Sequence, residues 1–471
     1  MKILLTGATG YIGKRLLPIL IENGHQVVCC VRDIKRFNPP PSLLPHIEVI
    51  QVDLLDSASL RQIPEDIAVA YYLVHSMSSS SDYEVLEKQS AINFRQALNK
   101  TQVQQVIYLS GIINETILSK HLKSRGDVEL ELQKGKYNLT TLRAGIIIGS
   151  GSASFEIIRD LVEKIPIMIT PKWLNTKCQP IAIRDVIAFL SKSLLNSDTY
   201  NQDFDIGGPD ILTYKEMLLE YARVRKLIRR IIIVPVMTPR LSSYWLYFVT
   251  TTSYKLAIAL VNSMKIEVIC RDDKINQILD VKPLPYKEAL SKAFLKIESN
   301  EVVSSWKDSL ISGRLNIKIS DFINVPKFGC LTDQRTRVYA DKQACLDKIW
   351  RIGGKTGWYY ADRLWKFRGY IDRIMGGVGL RRGRRNKNKL SAGDTVDFWR
   401  VLYANKKEGR LLLFAEMILP GEAWLEFKID GDKLIQTATY RPKGLPGRLY
   451  WYIIYPFHGF IFRGLLKQLT K

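Results

Sequence analysis

The run KILLTGATGYIGKRLLPIL, residues 2–20, sets Gly7, Gly10 and Gly13 between a short apolar stretch and an amphipathic one. Glycine at those points lets a strand turn sharply into a helix, and it lets the backbone approach a pyrophosphate. The exposed amides of the first helical turn then stabilise the phosphate charge. The spacing predicts a dinucleotide-binding turn, with Gly7, Thr9, Gly10, Tyr11, Ile12 and Gly13 against the cofactor. Through residue 145, β-branched runs such as HQVVCCVR, IEVIQVDL, AVAYYLVHS, QQVIYLSG and LTTLRAGIII alternate with helical stretches. Apolar strands alternating with crossover helices predict an α/β domain: a Rossmann-type parallel sheet covered on both faces.

The ends of these strands carry the candidate contacts. Arg32 closes the second strand, with Lys35 and Arg36 close behind. A guanidinium suits a ribose 2′-phosphate, whereas a carboxylate such as Asp33 suits a 2′-hydroxyl, so NADP (NADPH) is favoured over NAD. Asp53 ends the third strand, where its side chain can reach the adenine edge. Val74, His75 and Ser76 follow the fourth, where His75 is either a backbone-bonded structural residue or a proton donor.

From about 146 to 315 the pattern loosens into helices and short strands around QPIAI and QDFDIGG, with an aromatic run SSYWLYFVTTTSYKLAIALV. We read this as a substrate lobe belonging to a first domain of residues 1–315. VVSSWKDSLISGRLN reads as a linker, and residues 316–471 as a second domain. There a strand (TRVYA) and a helix (KQACLDKIWRIG) precede alternating strands joined by short turns such as KKEG and DGD, then a last helix from about 446. This pattern indicates an α+β domain with one antiparallel sheet.

Lys and Arg number 69 against 46 Asp and Glu, a net charge of +23 that favours phosphorylated small molecules, membrane surfaces or nucleic acid. The densest cluster is RRGRRNKNK, 381–389; with no helix-turn-helix or zinc-finger pattern beside it, nucleic acid is not the expected partner. A lipid head group, a membrane surface or the domain junction accounts for it more economically. Six cysteines form neither a metal-ligand spacing nor a disulfide framework, and the chain enters its first strand at once. The expectation is a cytoplasmic protein without a signal peptide and without a metal site. LYWYIIYPFHGFIFRGLL, 449–466, is a packed C-terminal helix, an interfacial one or a spanning one.

With TGATGYIG, Arg32, Asp53-Leu54, QPIAIRDV (179–186) and FDIGGPDILTYKEM (204–217) falling in order, the first 300 residues resemble the extended and atypical short-chain dehydrogenase/reductases, including the NmrA-like branch. The resemblance implies a serine after the fifth strand, matched by Ser110, followed by a Tyr-x-x-x-Lys pair that handles the proton and the nicotinamide ribose. This chain departs from it: HLKSRGDVE, 121–129, offers His121 in the tyrosine's place and Arg125 in the lysine's. His121 is then a proton donor, a ribose or structural contact, or a surface residue. The resemblance also brings Arg143, Ala144 and Gly145 toward the nicotinamide, with a buried ion pair as the alternative for Arg143. Two functions stay open: NADPH-dependent reduction of an apolar carbonyl, quinone or conjugated substrate, or a non-catalytic NADP(H)-binding sensor or assembly module.

The wording GWYYADRLWKFRGYIDRIMGGVGLRRGRR, GDTVDFWRV, AEMILPGEAWLEF and YRPKGLPGRLYWY resembles a bacterial domain of unknown function. Its element order is similar to the helix-grip or START-like fold, which implies an apolar small-molecule or lipid-like ligand. Trp358, Trp365, Trp399, Trp424 and Trp451 either line such a cavity or form ordinary core.

Overall fold

Seven parallel strands make the N-terminal sheet: β1 (Lys2–Thr6), β2 (Gln26–Val31), β3 (Ile47–Gln51), β4 (Val69–Tyr72), β5 (Gln105–Gly111), β6 (Asn138–Ala144) and β7 (Gln202–Ile206). Their spatial order is β7-β6-β5-β4-β1-β2-β3. The computed structural model describes residues 1–34, 37, 39–74, 83–113, 120–234, 264–298, 325, 330–375, 377–379, 389–442 and 444–471. The chain divides into two compact units, Met1–Arg314 and Leu315–Lys471.

Period-two alternation explains why this sheet is buried twice over. Ile3, Leu5, Val27, Cys29, Val69, Tyr71 and Ile107 face α1 (Gly13–Glu22) and α5 (Ile183–Lys192). Leu4, Val28, Cys30, Ala70, Tyr72, Val106 and Tyr108 face α2 (Tyr83–Leu98) and α3 (Lys120–Leu132). The strand order reverses between β1 and β4, so the crevice for a ligand opens at the carboxyl ends of those two strands.

QDFDIGG, assigned by sequence to the substrate lobe, contributes β7 to the main sheet. Phe204 and Ile206 join the core, and Asp205 stands opposite Arg143 on β6. The lobe itself packs α4 (Ala153–Lys164), α6 (Tyr214–Val224) and α7 (Tyr286–Glu298) through the Phe155, Tyr221 and Phe294 rings, 5.1 to 6.0 Å apart. A capping box starts α6: Thr213 Oγ1 accepts from Glu216 N (3.1 Å) and Glu216 Oε2 from Thr213 N (2.7 Å), stabilising the helix by about 1 kcal/mol.

In the C-terminal unit, β8 (Leu331–Val338), β9 (Thr395–Val396), β10 (Trp399–Asn405), β11 (Arg410–Ala415), β12 (Gly421–Asp430) and β13 (Lys433–Pro442) form an antiparallel sheet ordered β8-β13-β12-β11-β10-β9. The first strand thus lies beside the last. Helices α8 (Lys342–Ile349) and α9 (Asp362–Ile374) follow β8, and the 26-residue α10 (Gly444–Leu469) packs on β8 and β13. Gly431, at φ +57°, makes the tight turn between β12 and β13. Among the described residues no helix is long and apolar enough to cross a membrane, which removes the spanning alternative for α10.

Candidate functional sites

Close backbone approach fixes the glycine loop. Gly7 has φ +69°, and a Cβ there would fall 2.7 Å from the Leu73 carbonyl oxygen at the end of β4. Thr6 Oγ1 donates to Tyr71 O (2.8 Å) and accepts from Leu73 N (3.2 Å), stitching β1 to β4 at the crevice. Gly10 N donates to Gly7 O (2.8 Å), and Lys14 N to Gly10 O (3.1 Å), so the helical turn begins inside the loop. A Cβ on Gly13 would collide with Gly7 O. Thr9 is half-buried, and Ile12 packs against the core. The Arg15 guanidinium lies 4.0 Å over the Tyr11 ring and donates to Ser150 O (2.8 Å), tying the loop to the lobe. Burial pushes the Tyr11 hydroxyl up to about 12, against the pull of Arg15.

Arg32 stands exposed just past β2, while Asp33 is buried. The side chain presented to solvent is therefore the cation. Asp53 Oδ1 accepts from Leu55 N (3.0 Å), which orients its carboxylate at the end of β3. Leu54 is buried, its carbonyl accepting from Asn93 Nδ2 (2.8 Å), and Val74 is exposed beyond β4. Lys35, Arg36, His75 and Ser76 lie outside the described residues.

Ser110, near the end of strand β5, is 1% exposed, and its Oγ makes no hydrogen bond of ordinary geometry among the described residues. Two residues earlier on the same face is Tyr108, whose hydroxyl donates to Arg125 O on α3 (3.4 Å). Burial pushes the Tyr108 hydroxyl up to about 12, opposed by the Arg125 charge and by Ser110. Arg125 Nε is enclosed and unpartnered among the described residues, and next to it Ser124 donates to Glu87. Sequence reasoning missed Tyr108; the signal was its i−2 position from Ser110 in a strand. His121 falls in the first turn of α3, and its side chain lies outside the described residues.

The third member of the row on α3, Glu129, is buried and bonded to Arg143: Nη2 to Oε1 at 2.7 Å, Nε to Oε2 at 3.2 Å. Arg143 Nη1 reaches Asp203 Oδ2 at 2.6 Å, and Arg271 closes the network onto Asp203 (2.6 Å) and Asp205 (2.9 Å). All three guanidinium nitrogens of Arg143 are thus spent on carboxylates, so the ion-pair alternative is the one its contacts fill. Burial pushes the Glu129 carboxyl above its usual value while Arg143 pulls it down. Ala144 is buried, and a Cβ on Gly145 would lie 3.1 Å from Gln179 O. Gln179 in turn donates to Gly208 O (2.7 Å) and accepts from Cys270 N (2.9 Å), which joins the QPIAIRDV and FDIGGPD segments.

A second cluster lies inside the C-terminal unit. Trp358 stacks on Trp365 at 4.7 Å and donates its indole N–H to Asp397 (2.9 Å), with Trp399 6.2 Å away. Trp424 does not share this interior: strand alternation turns it to the other face of the sheet, onto Phe414. Trp451 stacks on Tyr440 at 5.7 Å and meets His458 edge-on at 5.2 Å. Beneath α10, Gln436 is 1% exposed with neither amide atom hydrogen-bonded among the described residues, and Tyr440 OH and His458 Nδ1 are likewise enclosed without a hydrogen bond there, Asp333 Oδ2 lying 3.9 Å from Nδ1. An unsatisfied buried polar group costs about 1–3 kcal/mol, so this cluster is a candidate contact for a hydrogen-bonding ligand. Of the basic run, 381–388 lies outside the described residues. Among the described residues no three His, Cys, Asp or Glu side chains are placed to hold a metal.

Residues 7–143 match the family described as NAD(P)H-binding, and residues 330–465 match a protein family of unknown function, DUF2867. Divinyl chlorophyllide a 8-vinyl-reductase of Arabidopsis thaliana is 23% identical over 226 residues, covering 44% of this chain and 54% of the relative. Photosystem II assembly factor Ycf39 of Trieres chinensis is 25% identical over 215 residues, covering 44% of this chain and 64% of the relative. The chain thus spans little more than half the length of the vinyl-reductase. Among solved structures, the triphenylmethane reductase of Citrobacter sp. superposes with TM-score 0.52 at 16% identity, covering 63% of this chain and all of that one. Its complex with NADP(H) gives 0.51 at 15%, covering 62% and all of that chain. At these identities the likeness establishes the fold. The N-terminal unit thus has a Rossmann-type fold with residues 7–143 similar to an NAD(P)H-binding family, and residues 330–465 of the C-terminal unit are similar to DUF2867.

Proposed function

We propose that the chain is an NADPH-dependent reductase of an apolar carbonyl, quinone or conjugated substrate. The observation that carries this reading is the buried pair Ser110 and Tyr108 toward the carboxyl end of β5, with half-buried Arg125 beside them on α3, on the side where the resembled family keeps its proton-handling residues. The glycine cradle of Gly7, Gly10 and Gly13, with Thr9, Tyr11 and Ile12, would hold the pyrophosphate, Arg32 the 2′-phosphate, and Asp53 with Leu54 the adenine. Val74, with His75 and Ser76, and Ala144-Gly145 would border the ring side. Arg143 acts on that region only by holding α3 against β6. The relatives agree in kind: one is a vinyl-reductase, and a structural neighbour forms a complex with NADP(H).

NADPH, when bound, supplies a hydride to the substrate carbon. The chain's own task is the proton. Ser110 Oγ donates to the substrate oxygen and is resupplied by the Tyr108 hydroxyl, whose charge Arg125 offsets. His121, at the start of α3, is the alternative donor. A second reading, a dinucleotide held without turnover for sensing or assembly, draws on the missing Tyr-x-x-x-Lys pair and on the enclosure of Ser110.

For the C-terminal unit we read the strand order and α10 as a helix-grip arrangement. Its ligand would combine an apolar body with a hydrogen-bonding end directed at Gln436, Tyr440 and His458. Six free cysteines and the absence of disulfides among the described residues support a reducing compartment such as the cytoplasm.

Purified protein titrated with NADPH and NADH, followed by nicotinamide fluorescence, tests the cofactor. Arg32→Glu should weaken NADPH at least about tenfold more than NADH, and equal losses would reject the phosphate contact. Absorbance of NADPH against a panel of apolar carbonyls and quinones then separates the two readings. Consumption abolished by Ser110→Ala supports the reductase, and tight binding without consumption supports the module.

A further inference from the structure

One face of α10 is apolar and exposed. Leu449, Tyr452, Ile453, Phe457 and Phe460 recur at helical spacing and all are exposed, Tyr452 at 66%, Ile453 at 65% and Phe460 at 59%. The opposite face is the packed one, carrying Trp451, Phe462, Leu465, Leu466 and Leu469 into the unit. The helix is therefore apolar on both sides over its first four turns. Soluble proteins rarely expose a contiguous patch of this kind unless it is an interaction site.

Charge selects the partner. Exposed Arg448 stands before the patch, and exposed Arg463 and Lys467 follow it on the outer side of the same helix. The C-terminal unit, residues 315–471, holds 30 Lys and Arg against 14 Asp and Glu, so it carries most of the excess in a chain of net charge +23. The neighbouring helix α9 repeats the pattern, with Phe367, Tyr370 and Ile374 exposed beside Arg363 and Lys366, and Tyr360 just ahead of it packs on Phe460 at 5.2 Å. Aromatic and aliphatic side chains flanked by long cationic ones suit the boundary of an anionic bilayer: the rings enter the acyl edge, and the Lys and Arg stems reach back to phosphates. A protein partner or a second copy would have to supply a matching acidic rim, which this basic unit does not offer to itself. Since no described helix is fit to span, the contact is peripheral.

We propose that the outer face of α10 docks the C-terminal unit onto an anionic membrane surface, with Tyr452, Ile453 and Phe460 buried in the interface and Arg448, Arg463 and Lys467 on head-group phosphates. This inference is independent of the reductase reading.

The test is co-sedimentation of the full chain with vesicles of phosphatidylcholine alone or with about one-third phosphatidylglycerol. Binding should favour the anionic vesicles at least about tenfold, weaken with salt, and fall at least about tenfold in Tyr452→Ser/Ile453→Ser/Phe460→Ser. Circular dichroism checks that variant's fold. Should it fail to fold, Arg448→Gln/Arg463→Gln/Lys467→Gln, which leaves the apolar packing untouched, serves in its place and should lose the preference for anionic lipid. Three results overturn the proposal: no sedimentation with anionic vesicles, equal sedimentation of wild type and folded variants, or a self-association that the serine variant abolishes while vesicles bind neither protein.

Discussion

Arg143 on β6 grips Glu129 on α3 with two guanidinium nitrogens, at 2.7 and 3.2 Å, in a setting where the glutamate is almost fully buried. That pair explains one-third of the row His121, Arg125, Glu129: the last member fastens the helix to the sheet. Removing the arginine leaves a buried carboxylate without its main partner. Arg143→Ala should destabilise the N-terminal unit by about 3–5 kcal/mol, while Arg143→Met combined with Glu129→Leu should recover most of the loss. Urea unfolding followed by circular dichroism measures both. An Arg143→Ala variant of wild-type stability would remove the structural role.

The glycines of the loop separate into those the chain needs and those a ligand needs. A Cβ on Gly13 would strike Gly7 O and lie 2.9 Å from Ala8 Cα, whereas on Gly10 it would meet only Gly7 O, at 3.0 Å. Gly13→Ala should therefore cost about 1–3 kcal/mol of stability whether or not a cofactor is present. Gly10→Ala should melt within about 3 °C of wild type. Its dinucleotide Kd should nonetheless rise about tenfold or more, because the added methyl points where a pyrophosphate approaches. Thermal melting and fluorescence titration of the two variants side by side give the comparison. Unchanged dinucleotide binding in Gly10→Ala would refute the cradle.

Tyr108 and His121 make opposite predictions about pH. With its hydroxyl pushed up to about 12, Tyr108 stays protonated across the neutral and mildly alkaline range, so a rate that depends on it should be level from about pH 6 to 10. A histidine donor would instead impose a fall as pH rises past about 6 to 7. Tyr108→Phe should lower kcat by about 10- to 100-fold. It should leave dinucleotide affinity unchanged and stability within about 1 kcal/mol, since the hydroxyl's hydrogen bond to Arg125 O is long, at 3.4 Å. A neutral-pH inflection retained in Tyr108→Phe and absent from His121→Ala would transfer the role to the histidine.

What could be read from the sequence followed local rules. Gly7 and Gly13 declare a turn because only glycine tolerates those backbone approaches, and the runs KILL and QVVCC declare strands buried on both faces because no polar residue alternates within them. Long-range pairing was not legible. QDFDIGG reads like any short strand, and its place at the edge of the main sheet comes from pairing with β6, the burial of Phe204 and Ile206, and the carboxylates of Asp203 and Asp205 meeting Arg143 and Arg271. Trp424 was grouped with Trp358, Trp365 and Trp399 by residue type, while the parity of its strand turns it to the other face. Gln436 gave no signal at all: a glutamine in IQTATY is ordinary until both its amide atoms prove to be enclosed and without a hydrogen bond among the described residues.

His458 makes the seam beneath α10 sensitive to acid. Burial drives its pKa down from 6.5 to about 4; Asp333, with Oδ2 3.9 Å from Nδ1, pulls it up, and Arg335, bonded to the same aspartate, pushes it down. The folded state therefore holds the neutral ring, while the unfolded chain takes up a proton near pH 6.5. The stabilising contribution is complete above about pH 6.5 and is lost as pH falls toward about 4, the whole loss being roughly 2–3 kcal/mol at most for a ring that retains some exposure. His458→Phe should flatten the stability of the C-terminal unit between those values, with the aromatic contacts to Trp451 and Phe462 kept. Tryptophan fluorescence during urea unfolding at a series of pH values reports it, because Trp451 lies 5.2 Å from the imidazole. Parallel pH curves for wild type and His458→Phe would show that the histidine is not the group protonated.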